Sequence, residues 1–120
     1  MNKMFVSNWV FILEAKNEKN AKIVMNRIFK QFNQQPSFIQ YSFYQKDDFN
    51  GLKVSVKFEH GIENWDELVI EIIGLGQGLG VGWYLSGDIF QLPTAVLSKE
   101  NSHIKIVGLY WASWEINRHE

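Results

Sequence analysis

The spacing of apolar residues predicts the first two elements of this chain. Residues 5–15 combine β-branched and aromatic side chains and predict a well-buried strand. From Ala21 to Phe32, apolar residues recur at three- and four-residue spacing, which predicts a helix with one apolar stripe. Asn17 or Asn20 can cap the start of this helix, and Pro36 prevents its continuation.

Apolar and polar residues then alternate strictly over residues 39–44 and 52–59, which predicts two strands with one buried face each. The segment Asp47–Gly51 between them predicts a hairpin in which Asn50-Gly51 supplies the positive φ angles. A second helix is predicted to start near Asn64, with Glu67 as its capping-box partner.

The remaining elements are predicted to be a strand over residues 83–90, a loop, and a long last strand over residues 104–116. The order β-α-β-β-α-β-β predicts a single α+β domain over residues 1–120. Its first six elements predict a ferredoxin-like arrangement, an antiparallel sheet with two helices on one face. We expect the additional C-terminal strand to extend this sheet as a partner of the fourth strand.

Five glycines alternate from Gly74 to Gly82, between the second helix and the next predicted strand. A phosphate-binding glycine loop follows a strand and precedes a helix, so the order here is reversed. We therefore expect these glycines to end the helix and to allow close backbone packing.

Composition narrows the classes of function. The 120 residues include no cysteine, which excludes disulfide scaffolds, thiolate metal sites and thiol nucleophiles. A formal charge of −1 is untypical of a dedicated nucleic-acid binder. No apolar stretch is long enough to span a bilayer or clean enough to be a secretory signal. We expect a cytoplasmic protein that binds neither nucleic acid nor membrane directly.

The sequence carries no recognisable catalytic or metal-binding motif. His60, His103 and His119 lack ligand partners at metal-site spacing, so they are expected to be solvated or packing residues. Ser86 and Asp88 lack a nucleophile-elbow context that would join them to His103 in a triad. The strand after the hairpin presents no outward aromatic pair, which disfavours RNA binding through the sheet. We expect no catalytic residue, metal or cofactor.

The two halves of the chain carry opposite charge. Residues 1–60 have nine Lys/Arg and five Asp/Glu, a net charge of +4, whereas residues 61–120 have three and eight, a net charge of −5. No Lys or Arg occurs from residue 58 to residue 98. The preference of acids for a helix start explains part of this pattern but not the lack of any cation. A surface of one sign steers a basic partner.

Aromatic residues concentrate in the last two predicted strands, which we expect to pair. Tyr110 and Trp114 are predicted to face the core, and Trp111 the polar side of the sheet. An aromatic residue on a polar sheet face is a candidate interface anchor. Alternatively, Trp111 covers a small second cluster with Val107 and Leu109.

Two C-terminal runs resemble a known class of proteins. Residues 81–89, Val-Gly-Trp-Tyr-Leu-Ser-Gly-Asp-Ile, and residues 107–116, Val-Gly-Leu-Tyr-Trp-Ala-Ser-Trp-Glu-Ile, resemble the C-terminal half of small bacterial immunity proteins. These are encoded beside contact-dependent growth-inhibition and related polymorphic toxins. The resemblance implies a cytoplasmic, non-enzymatic protein that binds a cognate toxin domain, often a nuclease, and occludes its active site.

The predicted toxin-binding residues combine electrostatic recognition of a basic surface with anchors on the last strand. They are Glu63, Asp66, Glu67, Glu71, Asp88, Trp111 and Glu115. One alternative is a small-molecule-binding or enzymatic domain with a pocket between sheet and helices. Trp9, Phe11, Trp83 and Trp114 would line this pocket. Another alternative is a homodimer through the edge of the last strand.

Overall fold

The computed structural model describes residues 5–116 as an α+β fold with two helices and a mainly antiparallel sheet. Its elements are β1 (Phe5–Leu13), α1 (Glu18–Phe32), β2 (Phe38–Lys46), β3 (Phe49–His60), α2 (Trp65–Gln77), β4 (Gly80–Val81), β5 (Tyr84–Asp88), β6 (Leu92–Ser98), β7 (His103–Ile104) and β8 (Leu109–Ile116).

Both helices begin at the predicted asparagine caps. The Asn17 side chain accepts a hydrogen bond from the Asn20 N–H at 2.8 Å, so Asn17 is the cap of α1. Asn33 ends this helix in the left-handed conformation, with φ of 55°. Asn64 caps α2 by accepting a hydrogen bond from the Glu67 N–H at 3.1 Å.

The order of strands in the main sheet is β2-β3-β1-β8-β6-β5, and every neighbouring pair is antiparallel. A ferredoxin-like order would place the strand that follows α2 beside β1, but β8 occupies that position. The segment predicted as a loop contains β6, which separates β5 from β8. The predicted pairing of the last strand with the fourth is therefore wrong. Because β8 is paired on both sides, the predicted dimer edge does not exist there.

The core lies between the two helices and one face of the sheet, with the Trp9 ring near its centre. Rings of Phe11, Phe32, Phe58, Trp83 and Trp114 lie 4.9–6.5 Å from the Trp9 ring. Trp9, Phe11 and Trp114 are at most 2% exposed. Trp9 and Phe11 therefore pack within the core, whereas Trp83 and Trp114 also line a concavity of about 220 Å³ beside α2, so only two of the four residues of the alternative pocket face an open space.

A β-bulge changes the predicted faces of the last strand. Leu13 pairs with Leu109 and Ile12 with Trp111, so β8 has one extra residue, Tyr110, at this point. Leu109 is buried in the core, whereas Tyr110 stacks on Phe49 on the helix-free side of the sheet, which we call the open face. The prediction of Tyr110 in the core is wrong for this reason.

Glycines occur where a side chain would meet neighbouring backbone or a packed ring. The β2–β3 loop is Asp47-Asp48, with φ of 55° at Asp47, so Gly51 supplies no positive φ angle. Instead, a Cβ on Gly51 would collide with the Leu13 carbonyl oxygen. A Cβ on Gly80 would lie 2.5 Å from the His103 carbonyl oxygen, and one on Gly76 would lie 3.1 Å from the Trp83 ring. Close backbone approach is confirmed at Gly80 and Gly82, whereas a Cβ on Gly74 would meet nothing within 4 Å. Gly74 and Gly76 lie inside α2 and do not end it, and Gly78 follows its last residue.

Candidate protein-binding surface

Three acidic residues at the start of α2 face away from the core. Asp66 and Glu67 lie in the first turn of the helix, where its dipole favours negative charge, and Glu63 precedes them. All three residues are exposed. Within residues 5–116, no Lys or Arg forms an ion pair with any of the three carboxylates.

A tryptophan ties the tip of the β5–β6 hairpin to the start of α2. The Trp65 indole Nε1–H donates to the Ile89 carbonyl oxygen at 3.0 Å, and its ring packs edge-on against Phe5 with centroids 5.6 Å apart. The neighbouring Asp88 carboxylate accepts the Phe90 N–H at 2.9 Å, which fixes the turn. This contact brings Asp88 to the same end of the molecule as the acids of α2. We call the surface formed by Glu63, Asp66, Glu67 and Asp88 the acidic end.

Apolar side chains are exposed beside these carboxylates. Ile89 and Leu92 at the hairpin tip are 48% and 42% exposed, and Ile70 on α2 is 70% exposed. Between α2 and the hairpin runs an apolar groove with two concavities, of about 140 and 220 Å³, that share Ile73, Leu85 and Trp114. The acidic end therefore combines carboxylates that have no Lys or Arg partner within residues 5–116 with accessible apolar surface, as protein-binding sites do.

Glu115 lies near the acidic end but on the open face of the sheet. Its strand partners are Asn8 and Thr94, and Asp88 pairs with Leu92, two residues before Thr94 on β6. Glu115 is exposed, and no Lys or Arg in the described part of the chain forms an ion pair with it. It can contribute negative charge at the margin of the acidic end.

Glu71 differs from the other predicted acids because it faces a buried histidine. Its Oε2 lies 3.9 Å from Nδ1 of His60, whose side chain is 1% exposed. Burial lowers the pKa of His60 to about 4, so the imidazole is neutral at pH 7. The prediction of His60 as a solvated or packing residue is thus resolved in favour of packing.

A polar network surrounds this histidine inside the core. The Ser7 Oγ lies 2.7 Å from the His60 Nε2 and accepts the Trp9 indole N–H at 2.8 Å. Serine, histidine and carboxylate spacing of this kind can activate a nucleophile. However, Ser7 is 0% exposed and lines none of the concavities described here. The network gives these buried polar groups hydrogen-bond partners. In the sequence, the one sign of this network is a serine inside the apolar first strand.

Trp111 lies far along the sheet from the acidic end. It lines a concavity of about 900 Å³ on the open face, beside the tip of the β2–β3 hairpin. Val107 is 75% exposed and Leu109 is in the core, so the predicted cluster of these residues with Trp111 is wrong. The structure therefore does not bring Trp111 together with the predicted acidic residues, and its role as an anchor stays a prediction.

The same concavity holds aromatic residues that the sequence reasoning missed. Phe49 stacks on Tyr110 with ring centroids 4.3 Å apart, and Tyr44 lies 6.1 Å from Phe49. The rim carries two lysines and three carboxylates: Lys46, Lys53, Asp47, Asp48 and Glu100. This mixed charge offers no net attraction for phosphates, although the aromatic rings are of the type that stack on bases.

The remaining candidate residues do not assemble into a reactive site. Ser86 Oγ lies 2.8 Å from Thr94 Oγ1, and the Asp88 carboxylate accepts a hydrogen bond within its own turn. His103 of β7 pairs with Val81 of β4, and these two strands form a second, two-stranded sheet. His119 lies outside the described residues. Across residues 5–116, no group of three or more His, Asp or Glu side chains could hold a metal ion. No helix in the described range is long and apolar enough to cross a membrane.

Comparisons with protein-family models, curated proteins and solved structures find no match to this chain.

Proposed function

We propose that this protein binds a cognate toxin domain with a basic surface, neutralises it by occluding its active site, and acts in the cytoplasm without catalysis of its own. The observation that supports this function best is the acidic end. Its carboxylates lack cationic partners within the described residues, and they flank an exposed apolar hairpin tip.

The acidic end suits an inhibitor of a nuclease. An enzyme that binds a polyphosphate substrate needs a cationic active-site cleft. Carboxylates held on a helix start and a fixed turn can occupy such a cleft at little cost in conformational entropy. Ile89 and Leu92 then provide apolar contact at the centre of the interface, while the charges accelerate association.

The proposal is tested by reversing charge at the acidic end. The reading frame beside this gene supplies the toxin candidate, and its C-terminal domain serves as the binding partner. Asp66→Lys/Glu67→Lys is expected to lower the association rate constant by about tenfold or more, with a smaller change in dissociation. Surface plasmon resonance measures both rates. Co-expression with the toxin domain reports whether growth is still protected.

A matched control places the same change of charge at the other end of the molecule. Asp47→Lys/Asp48→Lys alters two exposed acids in the β2–β3 loop and should bind and protect like the wild type. Glu71→Lys should lower the association rate constant less than Asp66→Lys/Glu67→Lys does, because the Glu71 carboxylate faces His60. Equal rates for the reversed and control variants would remove the acidic end from recognition. Absence of binding by the wild-type protein would remove the toxin-binding function.

A further inference from the structure

β2 forms one edge of the main sheet and, over residues 38–45, lacks the charges and prolines by which proteins protect an edge strand. It pairs with β3 in unbroken register, from Phe38 opposite Lys57 to Lys46 opposite Phe49. Residues 38–45 include no charged residue and no proline, and none of them has a positive φ angle. Within residues 5–116, no strand pairs with the outer side of β2. A long, regular and uncharged edge is a template for another strand.

The backbone groups that face outward follow from the β2–β3 hairpin. Its loop has two residues, and the residues that flank such a loop, Lys46 and Phe49, exchange backbone hydrogen bonds. Every second residue of β2 then bonds to β3, and the others turn their N–H and C=O groups outward. The outward groups belong to Ile39, Tyr41, Phe43 and Gln45. An extended strand placed beside β2 can form backbone hydrogen bonds with all of these N–H and C=O groups.

Apolar side chains accompany these outward groups. Phe43 is 85% exposed, more than any other large apolar residue of the described chain, and Phe38 is 45% exposed. Ile39 and Tyr41 share the sheet face of Phe43 and are only half-buried. A strand placed along β2 would cover these side chains as well as the backbone.

We propose that β2 pairs in antiparallel orientation with β2 of a second copy of this chain, about a two-fold axis at Ser42. Ser42 is the midpoint of Phe38–Lys46, so this register overlaps all nine residues. It places Tyr41 opposite Phe43 of the second copy and allows all outward groups of the strand to bond. The two six-stranded sheets join into one continuous sheet.

The charge of the edge fits a second copy of the chain. A two-fold axis brings identical segments together, so charges within the strand would face like charges. Residues 38–45 contain none, and the terminal Lys46 falls opposite Phe38 of the second copy. A lysine beside this ring is favourable, because Lys57 already makes a cation–π contact with Phe38, with its Nζ 5.6 Å from the ring centroid. Because β5 and the acidic end lie across the sheet from β2, this dimer leaves them accessible and is independent of toxin binding.

Measuring the oligomeric state tests the proposal. A substitution on the β2 edge is compared with the same kind of substitution on the β5 edge, which serves as the control. By size-exclusion chromatography with light scattering, the wild type is expected to have the mass of two chains. Phe43→Lys should have the mass of one chain, because a charge enters the interface. Tyr84→Lys alters a side chain that is 72% exposed on β5 and should remain dimeric. A monomeric wild type, or dissociation by Tyr84→Lys alone, would overturn the proposal.

A designed cross-link tests the register separately from the effect of a charge. Ser42 of the two copies would form a non-hydrogen-bonded pair with Cα atoms about 4.5 Å apart, within the range that a disulfide bridges. The chain has no cysteine, so Ser42→Cys introduces the only thiol. Mild oxidation should link this variant into a covalent dimer on a non-reducing gel. Ser86→Cys, in the middle of β5, should remain unlinked. Equal linking of both variants, or none of Ser42→Cys, would contradict the proposal.

Discussion

Both edges of the main sheet expose large apolar side chains, but they differ in backbone geometry. β5 exposes Tyr84 and Leu85 as openly as β2 exposes Phe38 and Phe43. However, β5 is five residues long, and Gly87 interrupts its extended backbone with φ of 80°. Its far end is held against α2 by the Trp65 indole. β2 is nine residues long and has no such interruption.

This difference shows how one sheet can present two kinds of binding surface. A short, bent edge resists strand addition, so its exposed side chains are available for contact with a folded partner. A long, straight edge instead offers its backbone to a second strand. We therefore expect side-chain recognition at β5 and strand pairing at β2.

The largest effect is expected from glycine replacement near β2. Gly51 of β3 pairs with Tyr44 of β2, and a Cβ on Gly51 would collide with the carbonyl oxygen of Leu13. Because Leu13 belongs to β1 inside the sheet, its backbone cannot move away without loss of pairing. Gly51→Ala should lower the free energy of unfolding by about 4 kcal/mol. Urea denaturation measures this change.

Two other Gly→Ala variants provide reference values for the change in unfolding free energy of Gly51→Ala. Gly87→Ala should cost about 2 kcal/mol, because the positive φ angle is strained but an edge hairpin can shift. Gly74→Ala should stabilise by up to about 1 kcal/mol, since the residue is helical and a Cβ would meet nothing within 4 Å. A larger cost for Gly87→Ala than for Gly51→Ala would show that the β5 edge is the less adaptable one.

A smaller effect, dependent on pH, is expected from His60, the buried last residue of β3. Burial lowers the pKa of His60 to about 4, from 6.5 in the unfolded chain. Below pH 6.5 the unfolded chain therefore binds a proton that the folded chain excludes. The contribution of His60 is fully present above pH 6.5 and is lost as the pH falls towards 4, by about 3 kcal/mol in total. Urea denaturation between pH 7 and pH 4.5, in steps of about half a unit, measures the slope.

His60→Asn should remove this part of the slope, because asparagine does not titrate. The difference between wild type and variant isolates His60 from the carboxylates that also titrate at low pH. Strand pairing through β2 should change little over the same range, since residues 38–45 contain no acid, lysine, arginine or histidine. Parallel stability curves for the two proteins would mean that His60 is protonated as easily in the folded state as in the unfolded state.

The contrast between the edges explains how much of the fold the sequence could predict. Elements with one clear period were predicted, namely both helices and the first three strands. β6 was missed because Pro93 and the polar run over residues 98–102 resemble a loop, although Pro93, Ala95 and Leu97 are buried in alternation. The position of β8 beside β1 depends on pairing across the whole chain, which local spacing does not encode.

The candidate site was predicted in part for the same reason. The acids of α2 and Asp88 were predicted as binding residues because no Lys or Arg occurs from residue 58 to residue 98, and charge can be seen directly in the sequence. Their proximity depends on the Trp65–Ile89 contact, and the separation of Trp111 from them depends on the strand order. The Ser7–His60 contact joins residues 53 positions apart and carries no local pattern. The sequence therefore predicts the charge of the acidic end but not its geometry.

The smallest effect is expected from the contact that holds the tip of the β5–β6 hairpin. Trp65→Phe removes the N–H that donates to Ile89 but keeps an aromatic ring beside Phe5. The freed carbonyl can bond to water because Ile89 is half-exposed, so the loss should be about 1 kcal/mol. Amide hydrogen exchange should accelerate in β5 and β6 and remain unchanged in β2 and β3.

Trp83→Phe provides the control for Trp65→Phe, because it removes an indole hydrogen bond of similar length elsewhere. The Trp83 Nε1–H donates to the Gly76 carbonyl oxygen at 2.8 Å, so its loss should accelerate exchange in the last turn of α2. Residues 88–92 should be unaffected in that variant. If Trp65→Phe instead accelerates exchange equally at both edges, the indole supports the sheet as a whole. The Trp65–Ile89 hydrogen bond would then not be what positions the hairpin tip beside α2.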